Sequence, residues 1–176
     1  MRRLLAVSLT TLALAGCVGP PQAPEAPPAP VIRPTPRPVP VPPPAPLASD
    51  WNDWPFTQGD WVYRRDARGS IALFGAGGGD AAMTLRCDRA RAALYLSVRG
   101  PATPVTVRTT TINRVIPLQP TGGDAGYAAT MLGPNDLLLD AMAFSRGRFV
   151  VERAGDVPLV VPPYAEIGRV IEDCRG

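Results

Sequence analysis

Two of the chain's three cysteines, Cys87 and Cys174, could react with each other to form a disulfide. An even pair of cysteines in an exported domain is typically oxidised. A bridge across so long a stretch of chain would stabilise the fold by roughly 4–5 kcal/mol. Two thiols could instead bind zinc, but the chain has no histidine and no third ligand near either cysteine. We therefore predict a disulfide, with free thiols as the alternative, and no metal site.

A pair of carboxylates could also do chemistry. Asp136 and Asp140 are four residues apart, so both project from one face if this segment is helical. An enzyme that hydrolyses glycans uses two carboxyl groups across a cleft, one of them with a raised pKa, and spacing alone shows neither. The structural alternative is that Asp136 caps a helix while Asp140 lies in solvent.

The residue types that are missing exclude several reaction classes. Without histidine there is no imidazole base, and without lysine there is no Schiff base and no phosphate-loop lysine. We predict no catalytic residue and no cofactor.

Four residues are candidates for contact with a ligand or partner. Arg146 and Arg148 flank a glycine, and two guanidinium groups there could bind a carboxylate or phosphate. Trp51 and Trp54 open the aromatic part of the chain and could form a flat platform for a peptide or a carbohydrate. The structural alternatives are an exposed turn for the arginines and a place in the core for the tryptophans.

The part of the chain that must position these residues lies after an N-terminal export signal. Arg2 and Arg3 precede an apolar run, 4–14, that is too short to span a bilayer. The run ends in Leu14-Ala15-Gly16-Cys17, which resembles the lipobox of bacterial lipoproteins. The resemblance implies that residues 1–16 are a signal peptide, that Cys17 is lipidated, and that the lipid anchors the protein to a membrane. With Val18 next to the cysteine, it further implies the outer membrane, facing the periplasm.

Residues 17–49 carry the lipidated cysteine and a proline-rich linker that contains 14 of the chain's 23 prolines. Proline fixes φ and lacks an amide donor, so this segment is predicted to be disordered and extended rather than helical or in a sheet. At full extension it would separate the domain from the lipid by roughly 90 Å. A spacer is the simpler interpretation, and a ligand for a proline-binding groove is the alternative.

Residues 50–176 hold all the aromatic residues and form one predicted domain with its own core. The formal net charge of the whole chain is +3. Four arginines precede the domain, however, which itself balances 14 arginines with 14 acidic residues. This neutrality argues against a nucleic-acid partner.

The domain pattern predicts a mainly β fold, either a β-sandwich or a curled antiparallel sheet. Apolar and polar residues alternate in short runs bounded by glycine, proline and aspartate. The predicted strands are 61–65, 70–74, 83–87, 94–98, 105–111, 115–118, 127–132, 148–152 and 157–161.

Two helices complete the prediction. A short one, 137–144, begins after a cap at Asn135 or Asp136. A C-terminal one, 164–174, has Pro163 in its first turn and buries Ile167, Val170, Ile171 and Cys174 on one face. This face would bring Cys174 to the sheet that carries Cys87.

The domain also resembles a group of small exported proteobacterial proteins. The pattern is Gly59-Asp60-Trp61, then Leu85-Arg86-Cys87, then a stretch ending in Arg169-Val-Ile-Glu-Asp-Cys174. It is similar to the invasion-associated locus B family and to accessory proteins of type VI secretion, in which a cysteine of the β core precedes one in a C-terminal helix. The resemblance implies a non-enzymatic role in the cell envelope.

We therefore expect a lipid-anchored envelope protein that presents a disulfide-stabilised binding or assembly module. Its partner would be another envelope protein or a cell-wall component. Two alternatives remain open. One is a carboxylate-dependent hydrolase of cell-wall glycans, and the other is a purely structural lipoprotein.

Overall fold

The computed structural model describes Gly19, residues 46–122 and residues 126–176. The chain divides into two units, Met1–Pro43 and Pro44–Gly176. The predicted domain, 50–176, lies wholly within the second unit. Three predictions fall outside the described residues: the signal peptide at 1–16, lipidation at Cys17, and the disordered linker up to residue 45 other than Gly19.

Within the described residues the second unit contains ten β-strands, two α-helices and two short 3-10 turns. The strands are β1 Asp60–Asp66, β2 Gly69–Gly75, β3 Met83–Asp88, β4 Ala93–Arg99, β5 Val105–Arg108, β6 Asn113–Ile116, β7 Gln119–Pro120, β8 Tyr127–Leu132, β9 Phe149–Arg153 and β10 Leu159–Val161. The helices are α1 Leu137–Ala143 and α2 Ala165–Arg175, and the 3-10 turns are Trp51–Asp53 and Arg89–Arg91. Neither helix is long and apolar enough to cross a membrane.

The strands form two antiparallel sheets. The large sheet has the order β1-β2-β3-β4-β8-β7, and the small sheet has the order β10-β9-β5-β6. The fold is therefore mainly β with one short helix and one C-terminal helix, as the sequence predicts.

One hydrophobic core joins the two sheets and both helices. The longer strands contribute alternate residues to it, such as Met83, Leu85 and Cys87 from β3, because side chains alternate between the two faces of a strand. We call the core side of each sheet its inner face and the opposite side its outer face. Helix α2 packs against β1 to β4 on the inner face of the large sheet.

The first hairpin shows how local chemistry sets the strand register. The carboxylate of Asp66 accepts hydrogen bonds from the backbone N–H groups of Arg68 and Gly69, at 2.9 and 3.2 Å, and so closes the turn between β1 and β2. Gly69 has a φ of +148°, and a Cβ there would collide with the carbonyl oxygen of Cys87. This position therefore requires glycine.

Several predicted boundaries are wrong by a few residues. The strand predicted at 105–111 ends at Arg108, because the hydroxyl of Thr109 accepts hydrogen bonds from the backbone of Thr111 and Ile112 and turns the chain. The last helix begins at Ala165 rather than Tyr164, so Pro163 lies before the helix and not in its first turn. Strand β10 is shorter than predicted and begins at Leu159.

The largest difference concerns residues 113–120, within which the sequence predicts one short strand at 115–118. They form two strands in different sheets, β6 in the small sheet and β7 in the large one. Pro117 separates them, and the chain crosses here from one sheet to the other.

Candidate binding surface

The disulfide between Cys87 and Cys174 is confirmed, with the two Cα atoms 5.4 Å apart. Cys87 lies on the inner face of β3, and Cys174 lies on the buried side of α2 with Ile167, Val170 and Ile171. The bond links residues 87 positions apart and holds the C-terminal helix on the large sheet. It is covered by the core and therefore stabilises the fold rather than offering a reactive thiol.

Two of the four predicted contact residues, Arg148 and Trp54, do come together. Arg148 donates a hydrogen bond to the carbonyl oxygen of Trp54, and its guanidinium lies 4.3 Å from the centre of the Phe56 ring. This cation–π contact and hydrogen bond occur within the molecule. Arg148 therefore holds residues 46–59, which we call the N-terminal segment, against the small sheet.

Further hydrogen bonds attach the N-terminal segment. The backbone N–H of Thr57 donates to the carbonyl of Val160 at 3.0 Å, and the N–H of Val160 donates back to the Thr57 hydroxyl at 2.9 Å. Val150 and Val160 point to the outer face of the small sheet, yet they are only 0% and 2% exposed. The outer face of the small sheet is therefore covered at these positions, where the N-terminal segment lies beside it.

Arg146 and Trp51 do not join that contact. The side chain of Arg146 is exposed, while its backbone N–H donates to the hydroxyl of Thr110 at 3.3 Å. The buried Ser145 hydroxyl accepts from the N–H of Thr110 and donates to the carbonyl of Arg148, which fixes the turn. Trp51 is half-buried in the first 3-10 turn. The carbonyl of Trp51 accepts a hydrogen bond from the N–H of Trp54 at 3.3 Å, but the side chains of Trp51 and Arg146 make no hydrogen bond or cation–π contact with Arg148 or Trp54 among the described residues.

The two carboxylates singled out in the sequence both make ion pairs. Asp136 caps α1 by accepting from the N–H of Leu138 at 2.8 Å, and it binds both terminal nitrogens of Arg114 at 2.9 and 3.0 Å. Asp140 pairs with Arg175 at 2.9 Å rather than lying free in solvent. Burial works to raise the pKa of Asp136, but the bonds from Arg114 and Leu138 outweigh it, and the pKa lies below its ordinary value. A general acid needs the opposite shift.

A surface feature that was not predicted lies on the outer face of the large sheet. The outward side chains of β1, β2, β3, β4 and β8 are exposed or half-exposed, apart from Asp88 and Ala93, which lie opposite each other at one end of β3 and β4. The described residues therefore leave this face open to solvent. An open groove of about 550 Å³ runs across it, which we call the outer groove. It is lined by Arg68, Arg86, Tyr95, Ser97, Pro117, Gln119, Pro120, Thr121, Ala129, Thr130 and Met131.

Strand register sets the shape of the groove floor. Tyr95 on β4 lies directly opposite Met131 on β8, and Ser97 lies opposite Ala129. The small side chains of Ser97 and Ala129 leave a depression between the larger ones and the prolines of the β6–β7 crossing. Met131 is 64% exposed, which is unusual for a large apolar side chain on a sheet.

Charged groups form one rim of the outer groove. Arg86 pairs with Asp66 at 2.7 Å, and Arg68 pairs with Asp88 at 2.9 Å. Hydrogen bonds from Arg86 and Arg68 hold the pKa of Asp66 and of Asp88 below their ordinary values, so both pairs stay charged.

Two further arginines leave this rim positively charged. Arg91 donates to the Tyr95 hydroxyl at 3.3 Å and so joins the rim to the groove floor. Arg64 points outward from β1 in the same cross-strand row as Arg86. With Arg68 and Arg86, these arginines outnumber Asp66 and Asp88.

The sequence carried a signal for the groove that we did not use. Tyr95 and Met131 occupy the polar positions of alternating strands, where a solvent-facing side chain is normally hydrophilic. A large apolar residue at such a position in two neighbouring strands marks a surface that another molecule can cover.

Within the described residues, no group of three or more histidine, cysteine, aspartate or glutamate side chains is arranged to hold a metal ion. Comparisons with protein-family models, with curated proteins and with solved structures found no match to this chain.

Proposed function

We propose that the chain is a lipid-anchored cell-envelope protein whose β domain binds a partner protein through the outer groove, without catalysis. The observation that carries the proposal is an open face on the large sheet with Tyr95 and Met131 at its centre and arginines on its rim. Tyrosine, methionine and arginine are the residue types enriched in protein interfaces. Methionine also adapts its shape to different partners.

The groove favours an extended acidic segment of the partner. Its length crosses several strands, and the arginines of the rim outnumber the aspartates. An acidic segment would approach by charge attraction, and apolar side chains on it would cover Met131 and Tyr95. Edge-strand pairing is less suited here, because β7 is two residues long and ends in Pro120, which has no amide donor.

An envelope location is supported by the N-terminal pattern and by the disulfide. The short apolar run that ends in Leu14-Ala15-Gly16-Cys17 favours export and lipidation. A disulfide in the core is typical of an oxidising compartment such as the periplasm. We propose the outer membrane, with the domain facing the periplasm and the proline-rich linker as its spacer.

Photo-crosslinking tests the groove directly. A crosslinking residue at position Ser97, in the groove, is compared with one at Thr106, on the outer face of the small sheet. Both positions are half-buried, so they form a matched pair. We expect Ser97 to give one discrete protein adduct in envelope fractions that weakens at high salt, and Thr106 to give none. Equal adducts from both positions, a peptidoglycan adduct, or no adduct from Ser97 would contradict the proposal.

The anchor is tested separately by intact mass and fractionation of the native chain beside Cys17→Ser. We expect an acylated native protein in the membrane fraction, and an unacylated variant that leaves it. A native protein that carries no lipid would overturn the anchor while leaving the groove to be judged by its own experiment.

A further inference from the structure

A buried arginine with unused hydrogen-bond donors lies between the two sheets, away from the outer groove. On β9, the residues Phe149, Val151 and Arg153 alternate onto the inner face, so Arg153 occupies a position where the pattern calls for an apolar side chain. Its register partner on β5 is Val105, which is also buried. The Arg153 side chain is only 7% exposed.

Only one nitrogen of this guanidinium is satisfied. Nη1 of Arg153 donates to the carbonyl of Arg99 and to the carboxylate of Asp156, both at 2.9 Å. Nε and Nη2 are buried and have no hydrogen-bond partner among the described residues. Buried donors without a partner cost free energy, which an incoming acceptor would recover.

The two free donors have the geometry of a carboxylate receptor. Nε–H and Nη2–H lie on the same edge of the planar guanidinium, and this edge forms two parallel hydrogen bonds to a carboxylate. Gly100 makes room for the group, because a Cβ at that position would collide with Nη1 of Arg153. Asp156 contacts Nη1 alone, and its side chain is half-exposed. The edge formed by Nε and Nη2 therefore has no carboxylate partner among the described residues.

An open cavity of about 180 Å³ is lined in part by Arg153, although Nε and Nη2 of this residue are covered by neighbouring atoms. Its walls are mostly apolar, with Val98 from the large sheet and Val105, Val151 and Leu159 from the small sheet. A cationic group with apolar walls around it suits a ligand that has a carboxylate at one end and a short hydrocarbon tail.

We propose that this cavity binds a carboxylate with a short apolar tail on Nε and Nη2 of Arg153. Two sources share that chemistry: a free short-chain acid, and the terminal carboxylate of a peptide that ends in a small apolar residue. The cavity is open, but Nε and Nη2 are covered, so a ligand in the cavity reaches them when the Arg153 side chain and the exposed connection from Ala154 to Val157 shift. Gly155, at a φ of +85°, and Val157, which is 83% exposed, lie in that connection.

The test uses the full chain and compares butanoate with butanamide, which has the same shape but no charge, at matched ionic strength. Thermal unfolding and titration calorimetry should show saturable stabilisation by butanoate and none by butanamide. Acetate, which lacks the tail, should bind more weakly. Equal effects of butanoate and butanamide, or no effect of either, would overturn the proposal.

Substitutions then locate the site. Arg153→Gln should weaken butanoate binding about tenfold or more, whereas Arg108→Gln, on the outer face of the same sheet, should not change it. Because loss of a buried arginine can impair folding, Asp156→Asn provides a second variant. It removes the competing carboxylate and should tighten binding roughly threefold, while Asp53→Asn on the exposed first turn should not.

Binding of a peptide distinguishes the two sources of the carboxylate, a free short-chain acid and a peptide carboxyl terminus. The tripeptide Ala-Ala-Val is compared with the same tripeptide amidated at its carboxyl end. Tighter binding of the free-acid peptide than of butanoate identifies a peptide terminus as the ligand, and the reverse identifies a free acid. Butanoate binding that persists unchanged in Arg153→Gln would contradict the site itself.

Discussion

The two sheets differ in what happens on their outer faces. On the small sheet, Val150 and Val160 point outward yet are buried, with the N-terminal segment fixed alongside by Arg148 and Thr57. On the large sheet, the outward side chains of Val62 and Met131 are 45% and 64% exposed. The chain therefore covers the outer face of the small sheet at β9 and β10, although Thr106 and Val115 on β5 and β6 remain accessible there. It leaves the outer face of the large sheet open.

This difference indicates which surface of the domain is available to a partner. A face that the chain covers contributes to stability, so substitutions there should act on the free energy of unfolding. A face left open contributes little to stability, so substitutions there should act on binding.

The largest effect is expected from the disulfide, which holds α2 on the inner face of the large sheet. Cys87→Ser and Cys174→Ser should each lower the free energy of unfolding by about 2–5 kcal/mol in urea titrations. Either change breaks the same bond, so the double variant should be at least as stable as the less stable of the two single variants. Clearly additive losses would show that the two cysteines contribute separately.

The next largest effect on stability is expected on the outer face of the small sheet, and one substitution on each outer face allows the two to be compared. Val150→Ala removes a buried side chain from the covered face and should cost about 1–3 kcal/mol. Val62→Ala, on the open face, should change the free energy of unfolding by no more than about 0.5 kcal/mol. Similar losses for both variants in chemical denaturation would show that the large sheet is covered as well.

A smaller effect should follow from releasing the N-terminal segment. Arg148→Ala removes the hydrogen bond to Trp54 and the contact with Phe56, and should cost about 1–2 kcal/mol. Trp54 fluorescence should become more accessible to a soluble quencher. Arg146→Ala is the matched control, because its side chain is exposed, and it should leave both the stability and the quenching unchanged.

The smallest effect on stability is expected from a change of pH. Asp66, Asp88 and Asp136 have pKa values below the ordinary value of 3.8. The pKa of Asp173 is lowered as well, because hydrogen bonds from Tyr63 and Arg65 outweigh burial. A carboxyl with a depressed folded-state pKa stabilises the protein above its unfolded pKa, and this stabilisation is lost as the pH falls through the folded value.

With no histidine in the chain, we expect the thermal unfolding temperature to be flat from about pH 5 to 8 and to fall below about pH 4. Asp136→Asn should flatten the acid limb. A stability that changes between pH 6 and 7 would contradict this account.

The sequence was sufficient for the local structure. Alternation placed β1 to β4 and β8. The cysteine count left Cys87 and Cys174 as the pair that forms the disulfide, and helical spacing put Cys174 on the buried face of α2. The sequence was not sufficient to predict which strands pair across long stretches of the chain. The crossing of residues 113–120 from one sheet to the other depends on contacts that no local pattern encodes.

The candidate site was missed for a related reason. Alternation shows which residues share a face, but not which face another part of the chain will cover. The uninterrupted run Phe149-Val150-Val151 is a signal that β9 is buried on both sides, and it would have predicted the covered face. Extending that alternation by one step would also have shown that Arg153 points inward.

The most direct test compares Met131→Glu with Val115→Glu. The two residues are 64% and 66% exposed, on the large and the small sheet, so neither change should affect folding. The measurement is the yield of the protein adduct formed from a crosslinker at Ser97. We predict that Met131→Glu lowers this yield about tenfold, because it places a negative charge on an apolar surface that faces an acidic partner, and that Val115→Glu leaves it unchanged. Equal yields from both variants would contradict the claim that the open face of the large sheet is the binding surface.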